Sequence, residues 1–280
     1  MKIATSIPEL QSTRSSLSSP VGLVPTMGYL HAGHISLVRR AREECASVVV
    51  SIFVNPAQFG PREDLDKYPR NLPRDLSLLE AEGVDLVWNP TNEIVYPPGF
   101  QTWVSVDNLT RGLEGAVRPG HFRGVSTVVS ILFNSVQPQK AYFGQKDAQQ
   151  VAVIRQMTKD LCFPIGIVVC PTIREKDGLA LSSRNTFLSP EERKAAPVLF
   201  RSLNSARIAY ENGEKRAEKL RQIIKDVIEA EPCAKLQYVS CADYDTLEEL
   251  ETINCKTLLS MAVYLGTTRL IDNLIIGEEG

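Results

Sequence analysis

Residues 21–38, VGLVPTMGYLHAGHISLV, decide the fold. Val21, Leu23 and Val24 form a short apolar run suited to a buried strand, Gly28 and Gly33 release the backbone, and Ile35, Val38 and Ala41 recur at helical spacing. The stretch reads as strand, turn, helix. A helix opening near Gly33 has unpaired amide N–H groups at the positive end of its dipole, so an anion such as phosphate is favoured there. His31 and His34 flank that point. Three residues apart, they can present two imidazoles on one side and donate hydrogen bonds to the same phosphate oxygens, stabilising charge that grows in a transition state. Either histidine alone would be read as a cap or a packing residue. The pair, with Thr26, Met27 and two glycines in frame, points to a phosphate site.

Working outward, residues 48–54 (VVVSIFV) are continuously apolar and β-branched, as a strand buried on both faces of a parallel sheet requires. Shorter runs at 141–143 and 165–169 repeat the theme, and helical patterns at 71–82, 125–136 and 148–161 fall between them. Four apolar runs alternating with helices predict an α/β fold with a Rossmann-like, doubly wound parallel sheet. In such a sheet ligands bind beyond the carboxyl ends of the strands. Each run is followed by a polar or glycine-rich cluster: PTMGYLHAGH, NPAQFG, GQKDAQQ and REKDGLALSSRN. The four clusters are therefore expected on one edge.

Other segments carry less chemistry. Residues 12–19 read as a turn, 84–88 as a short strand, 103–106 as an edge strand, and 109–123, with three arginines and a histidine, as a long loop of the functional kind. After residue 185 the character changes. Ser189, Pro190 and Glu192 form a capping box that opens a helix running to about residue 210, and a second helix covers 214–230. Strands follow at 236–242, 258–265 and 270–276, the last two joined as a hairpin through 266–268. The predicted division is a nucleotide-binding catalytic domain over 1–176 and a smaller α+β domain over 177–280.

Composition narrows the function classes. With 31 basic and 33 acidic residues and a net charge of −2, the chain offers no general polyanion-binding surface, which disfavours nucleic acid as a partner. Neither a signal peptide nor eighteen consecutive apolar residues is found, so a soluble cytoplasmic protein without membrane partners is expected. The six cysteines form no CxxC pair and read as small buried hydrophobes, not as disulfides or a zinc site.

At the shared edge, Lys146 can reach a phosphate as a flexible point charge, while Asp147 can cap a helix or accept from a ribose. Ser182, Ser183, Arg184 and Asn185 offer two hydroxyls and a guanidinium at adjacent positions, although SSRN by itself is an ordinary polar turn. Asn55 and Gln58 could orient a small hydroxy acid whose methyl groups Phe59 covers. Gln149 and Gln150 are either substrate contacts or solvated helix residues.

PTMGYLHAGH, FVNPAQFG, DLDKYPR, RPGHFRGVSTVV, FGQKDAQQ and REKDGLALSSRN resemble, in order and spacing, the motifs of the pantothenate synthetase (pantoate–beta-alanine ligase) family of the HxGH nucleotidylyltransferase superfamily. The resemblance implies an AMP-forming, ATP-dependent ligase that condenses (R)-pantoate with beta-alanine through a pantoyl adenylate. The products would be pantothenate, a coenzyme A precursor, with AMP and pyrophosphate. It further implies ATP as substrate with Mg²⁺, a cytoplasmic homodimer, and roles by position. Met27, Gly28, His31, His34, Gly144, Lys146, Asp147, Ile173, Leu181, Ser182, Ser183 and Arg184 would bind ATP. His31, His34, Lys146 and Arg184 would be catalytic, with Gln58 and Gln150 on pantoate and Gln58 also on beta-alanine. Arg118 and His121 would line the same cleft. Tyr29, Ala32 and Leu181 depart from the family's usual residues, and Arg74–Asp75 stands where some members carry two acidic residues near a magnesium ion, which leaves protein ligands for a metal open. Two rivals remain: a one-step adenylyltransferase, whose product keeps AMP, and a nucleotide-sensing module without turnover.

Overall fold

Strand residues that are apolar at every position have to be covered on both sides, and the first half of the chain is built that way. The computed structural model describes residues 1–61 and 63–277. The chain divides into two units, Met1–Gln145 with Gln149–Pro171, and Lys146–Ala148 with Thr172 onward.

In the first unit the elements run β1 (Lys2–Ala4), α1 (Ile7–Ser15), β2 (Val21–Thr26), α2 (Ala32–Glu44), β3 (Ser47–Ile52), α3 (Leu72–Ala81), β4 (Leu86–Trp88), α4 (Asn92–Val95), α5 (Leu113–Val117), α6 (His121–Val136), β5 (Lys140–Gly144), α7 (Ala148–Asp160) and β6 (Gly166–Cys170). The strands form one sheet in the order β1-β4-β3-β2-β5-β6, with every neighbouring pair parallel. Side chains alternate between its faces. Leu23, Val49, Leu86, Ala141 and Phe143 join a core with Leu10 of α1, Val129 and Phe133 of α6, and Ile154 of α7. Val24, Val48, Val50, Val87 and Tyr142 join another with Leu37, Val38 and Ala41 of α2 and Leu79 of α3. This is the expected doubly wound sheet: the four apolar runs and the short strand predicted at 84–88, here β4, are joined by β1, which the sequence reading did not include.

The chain order reverses at β2, whose neighbours are β3 on one side and β5 on the other. β2 pairs with β3 over six residues, Val21 to Thr26, but with β5 only at Gly22 and Leu23. Beyond those two positions the ladder stops, so β2 and β5 part toward their carboxyl ends. A doubly wound sheet opens its ligand crevice at this switch point.

The second unit holds α8 (Pro190–Ala195), α9 (Val198–Glu211), α10 (Ala217–Glu229) and an antiparallel sheet of β7 (Ala234–Asp243), β8 (Thr257–Leu265) and β9 (Thr268–Ile276), with β8 central. Leu220, Ile224 and Ile228 form the apolar stripe of α10 and pack with Leu199 and Leu203 of α9 and with Leu259, Met261 and Val263 of β8. Gly266 and Thr267 make a two-residue hairpin turn, with Gly266 at φ +55°.

Five expectations are corrected. Residues 12–15 belong to α1, which begins at a capping box of Ser6 and Glu9 and ends at Ser15; the serine run hid that box. Residues 103–106 are not a strand, because the Val104 N–H donates to Thr127 Oγ1 and not to a neighbouring strand. Residues 109–123 hold α5 and the start of α6, with a 3₁₀ turn at Asn108–Thr110. The single helix expected over 190–210 breaks between α8 and α9, where Pro197 has no N–H to continue the ladder. Cys45, Cys170 and Cys241 are buried as expected, but Cys162 and Cys233 are exposed; all six are free thiols. No helix among the described residues is long and apolar enough to cross a membrane.

Candidate active site

The turn after β2 takes two left-handed residues in succession, Gly28 at φ +81° and Tyr29 at φ +50°. A Cβ on Gly28 would lie 3.0 Å from Ile52 Cγ2 and 3.1 Å from Asp75 Oδ2, so glycine is needed for space as well as for conformation. Tyr29 has no such freedom, and a left-handed residue other than glycine costs of order 1–3 kcal/mol unless its surroundings hold it. Asp75 of α3 supplies that hold. Its buried carboxylate accepts the N–H groups of Tyr29 (2.7 Å) and Leu30 (2.8 Å). Arg74 sits 3.8 Å from the same carboxylate and lies over the Tyr29 ring.

α2 opens one residue earlier than expected, at Ala32, with His31 as its cap. The two histidines cap each other. His31 Nδ1 accepts the Gly33 N–H (3.2 Å), and His34 Nδ1 accepts the His31 N–H (3.3 Å). Their ring centroids are 4.0 Å apart. An imidazole nitrogen that accepts a hydrogen bond carries no proton, so each neutral ring bears its hydrogen on Nε2. Capping and anion binding, alternatives in the sequence, are compatible here: one nitrogen of each ring serves the helix, and the other is a donor.

A second group in the same unit surrounds Gln58, in the 3₁₀ turn Pro56–Gln58 after β3. Gln58 Nε2 donates to Met27 Sδ (3.0 Å) and its Oε1 accepts from Asn55 Nδ2 (3.2 Å), which joins this turn to the one after β2. Buried Asn55 also donates to the Gly124 carbonyl and accepts from Tyr96 Oη at 2.8 Å. Burial pushes the Tyr96 hydroxyl up to about 12, so it keeps its proton and donates. The Gln58 carbonyl accepts from His121 Nδ1 (2.7 Å) and from Arg118. Arg118 also meets His121 Nε2 at 3.2 Å; because a guanidinium can only donate, Nε2 accepts and Nδ1 carries the hydrogen. Burial first and the Arg118 charge second bring His121 down to about 4, so the ring is neutral near pH 7. Arg118 forms a bidentate pair with Glu63. Burial raises the Glu63 carboxyl, but Arg118 more than offsets this and leaves it below the ordinary carboxylate range. α6 lies directly on this turn: a Cβ on Gly124 would fall 2.2 Å from the Ala57 carbonyl oxygen.

The other predicted residues of this unit take varied places. Gly144 ends β5, and Phe59 packs edge-to-face on Tyr68. Gln150 is half-buried on the first turn of α7. Gln149 is buried and structural, accepting from the Glu114 N–H and donating to the carbonyls of Leu109 and Gly112. A cavity of about 560 Å³ runs past the carboxyl ends of β2, β3 and β4, lined by Met27, Gly28, Arg70, Asp75, Asn89 and Glu93 among others. Among the described residues, no group of three or more histidine, cysteine or acidic side chains could hold a metal ion.

The second unit contains the remaining candidates. Lys146 Nζ lies 3.5 Å from Asp147 Oδ1, and the Lys146 carbonyl accepts from Asn273 Nδ2 at 2.8 Å. The Ile173 carbonyl accepts the Leu181 N–H, which closes the segment between them into a narrow loop. Ser182 caps the 3₁₀ turn Ser183–Phe187 by accepting the Arg184 N–H, Ser183 is buried, and Asn185 donates to the Ala180 carbonyl. Arg174 is fixed by Asp272, with two contacts of 2.6 and 2.9 Å. Burial raises the Asp272 carboxyl, and the Arg174 guanidinium pulls it back. Sequence reasoning named Asp75 only as a position near a possible magnesium ion and missed its hold on the turn, and it missed the contacts of Gly124, Glu63, Arg174 and the Asp272–Asn273 pair. Each acts on residues remote in the chain, so no local pattern marks it.

Comparison with known proteins supplies the context. The sequence profile of the family described as pantoate-beta-alanine ligase matches residues 2–275. The pantothenate synthetase of Roseiflexus sp. (strain RS-1) is 58% identical over 276 residues, covering 99% of both chains. That of Herpetosiphon aurantiacus is 56% identical over 277 residues, covering 99% of this chain and 100% of the relative. Among solved structures, pantothenate synthetase from Thermus thermophilus superposes with a TM-score of 0.94 at 49% identity, covering 98% of this chain and 99% of that one. Pantoate-beta-alanine ligase from Francisella tularensis, complexed with beta-gamma ATP and beta-alanine, gives 0.82 at 38% identity, covering 98% and 97%.

Proposed function

This chain belongs to the pantoate–beta-alanine ligase family, and on that premise we propose that it joins (R)-pantoate to beta-alanine in two steps driven by ATP. In the first, a pantoate carboxylate oxygen attacks the α-phosphorus of ATP and the bond to pyrophosphate breaks. In the second, the beta-alanine amine attacks the acyl carbon of the pantoyl adenylate, AMP leaves, and the nitrogen loses its proton. A carboxylate with an ordinary pKa near 4 is already ionised, so the first step needs no base. What it needs is charge and hydrogen-bond donors on the phosphates.

The mutual cap of His31 and His34 carries this reading, because it holds two Nε2–H donors side by side at the start of α2. In our assignment Met27, Gly28, His31, His34 and Gly144 bind ATP from the first unit, with the two imidazoles on phosphate oxygens. Lys146 and Arg184 bring cationic donors to the phosphates, Asp147 serves the ribose, the Ile173 backbone serves the adenine, and Leu181, Ser182 and Ser183 complete the phosphate contacts. Gln58 and Gln150 orient pantoate, and Gln58 also meets beta-alanine. Residues 1–176 form the nucleotide-binding catalytic domain in this scheme and 177–280 the smaller one. Mg²⁺ arrives on the ATP phosphates as part of the substrate. The side chains fit that role, since the Asp75 carboxylate is already committed to two backbone amides. We take the working form to be a cytoplasmic homodimer, as the family resemblance implies.

The test is exchange of labelled pyrophosphate into ATP. It should require pantoate but not beta-alanine, and AMP should appear once beta-alanine is added. A product that retains AMP would identify a one-step adenylyltransferase, and ATP binding without pyrophosphate release would identify a sensing module.

A further inference from the structure

Two consecutive residues of β9, Asp272 and Asn273, send their side chains to opposite faces of the C-terminal sheet. Asp272 shares its face with Leu270 and Ile276, which pack in the core with α9 and α10. There it grips Arg174, which also donates to the Gly178 carbonyl and lies over the Phe200 ring at 4.3 Å. Asn273 reaches 127 residues back along the chain to the Lys146 carbonyl. The two hands are joined, because the Asn273 N–H donates to Asp272 Oδ1 and Arg174 donates to the Asn273 carbonyl.

Stability does not account for this arrangement. A buried ion pair is often no more stabilising than apolar residues of the same volume, since desolvation offsets the attraction. In register with Asn273 across the sheet stand Ser260 and then Ser240, both buried. Neither serine hydroxyl has a hydrogen-bond partner among the described residues, which is costly for a strand row that could have been apolar. What the pair does achieve is registration. Arg174 follows Ile173 and bridges to Ala180, so Asp272 fixes the loop that delivers Ser182 to Arg184, while Asn273 fixes the main chain that carries the Lys146 ammonium.

We propose that Asp272 and Asn273 form a positioning pair for adenylate formation, setting the Lys146 main chain and the 173–184 segment in one frame. The inference rests on the roles assigned above to Lys146 and Arg184. Lysine has a long flexible stem, so its ammonium is only as well placed as its backbone.

The experiment is a double-mutant cycle on pantoate-dependent pyrophosphate exchange, using the full-length chain. Asn273→Leu keeps the shape and removes the donor. It should lower kcat by about 10- to 100-fold, the scale of an ångström-sized misplacement, with KM for pantoate and the thermal unfolding midpoint unchanged. In a Lys146→Ala background the same substitution should have no further effect on kcat. Equal losses in both backgrounds, or parental kcat in Asn273→Leu, would overturn the inference while leaving the Lys146 assignment intact. Parental kcat in Lys146→Ala alone would remove that assignment and the inference with it. Should Asn273→Leu not fold, Asn273→Ser, too short to reach the Lys146 carbonyl, is read by the same criteria.

Discussion

The turn after β2 and the 172–187 segment both present donors suited to phosphate oxygens, yet they are fastened by opposite means. In the first, the fastening is mostly local: two histidines three residues apart cap one another, and one remote carboxylate, Asp75, locks the preceding amides. In the second, the local turn of Ser182 to Asn185 is held by weak caps, and the firm anchor is a strand residue 98 positions beyond Arg174. A locally closed motif can be read from a few residues. One closed by a distant strand looks like an ordinary polar turn until that strand is in place.

The sharpest way to break the comparison is to remove one donor from each region. On the proposed assignment, His34→Ala and Lys146→Ala should each reduce pantoate-dependent pyrophosphate exchange by about 10² to 10³-fold, the usual loss for one transition-state donor. Parental exchange in either variant would take that region out of the chemistry.

Next in size is the single remote hold on the first region. Asp75→Ala leaves two amides without their charged acceptor and should destabilise the fold by about 2–3 kcal/mol, measured by urea unfolding. If the free energy of unfolding does not change, the mutual histidine cap suffices and the contrast between the regions is complete.

A smaller effect is expected where α6 rests on the Gln58 turn. Gly124→Ala forces a methyl group against the Ala57 carbonyl, a clash of the kind that costs about 1–3 kcal/mol, and the displaced Gln58 should raise KM for pantoate roughly tenfold. An unchanged KM would show that the position of this turn is not what binds pantoate.

The smallest expected effect is on pH dependence. His121, facing Arg118, Glu63 and Glu114, is held to about 4 when folded against about 6.5 unfolded. Between those values the unfolded chain binds more protons than the native one. Stability from this group is therefore complete above pH 6.5 and falls by about 1.4 kcal/mol per pH unit as pH drops toward 4. His121→Gln should flatten that slope in urea titrations at pH 7 and pH 5; an equal slope in both proteins would assign it to other groups.

Much of this molecule is legible in its residues. The apolar runs at 21–24, 48–54 and 141–143 became central strands because uninterrupted apolar sequence is best buried on both faces, while the run at 165–169 became the half-buried edge strand β6. The Ser189–Glu192 box and the Gly266 turn acted where expected, since both are closed by near neighbours. The failures have a common cause. Residues 103–106 have a strand's pattern but give their hydrogen bond to Thr127, and α5 forms in a glycine-rich stretch beside the buried Gln149 amide.

By itself, then, the sequence determined the parallel sheet and the polar clusters that follow its strands, because periodicity, caps and turns are set within a few residues; the strand order that puts the switch point beside β2 came only with the fold. The tertiary structure alone decided which nitrogen of His121 keeps its hydrogen, which carboxylate pins the first turn, and that Asp272 and Asn273 stand behind Lys146 and Arg174. Those outcomes depend on hydrogen bonds between groups tens to more than a hundred residues apart, and only the folded chain brings such groups within 3 Å of each other.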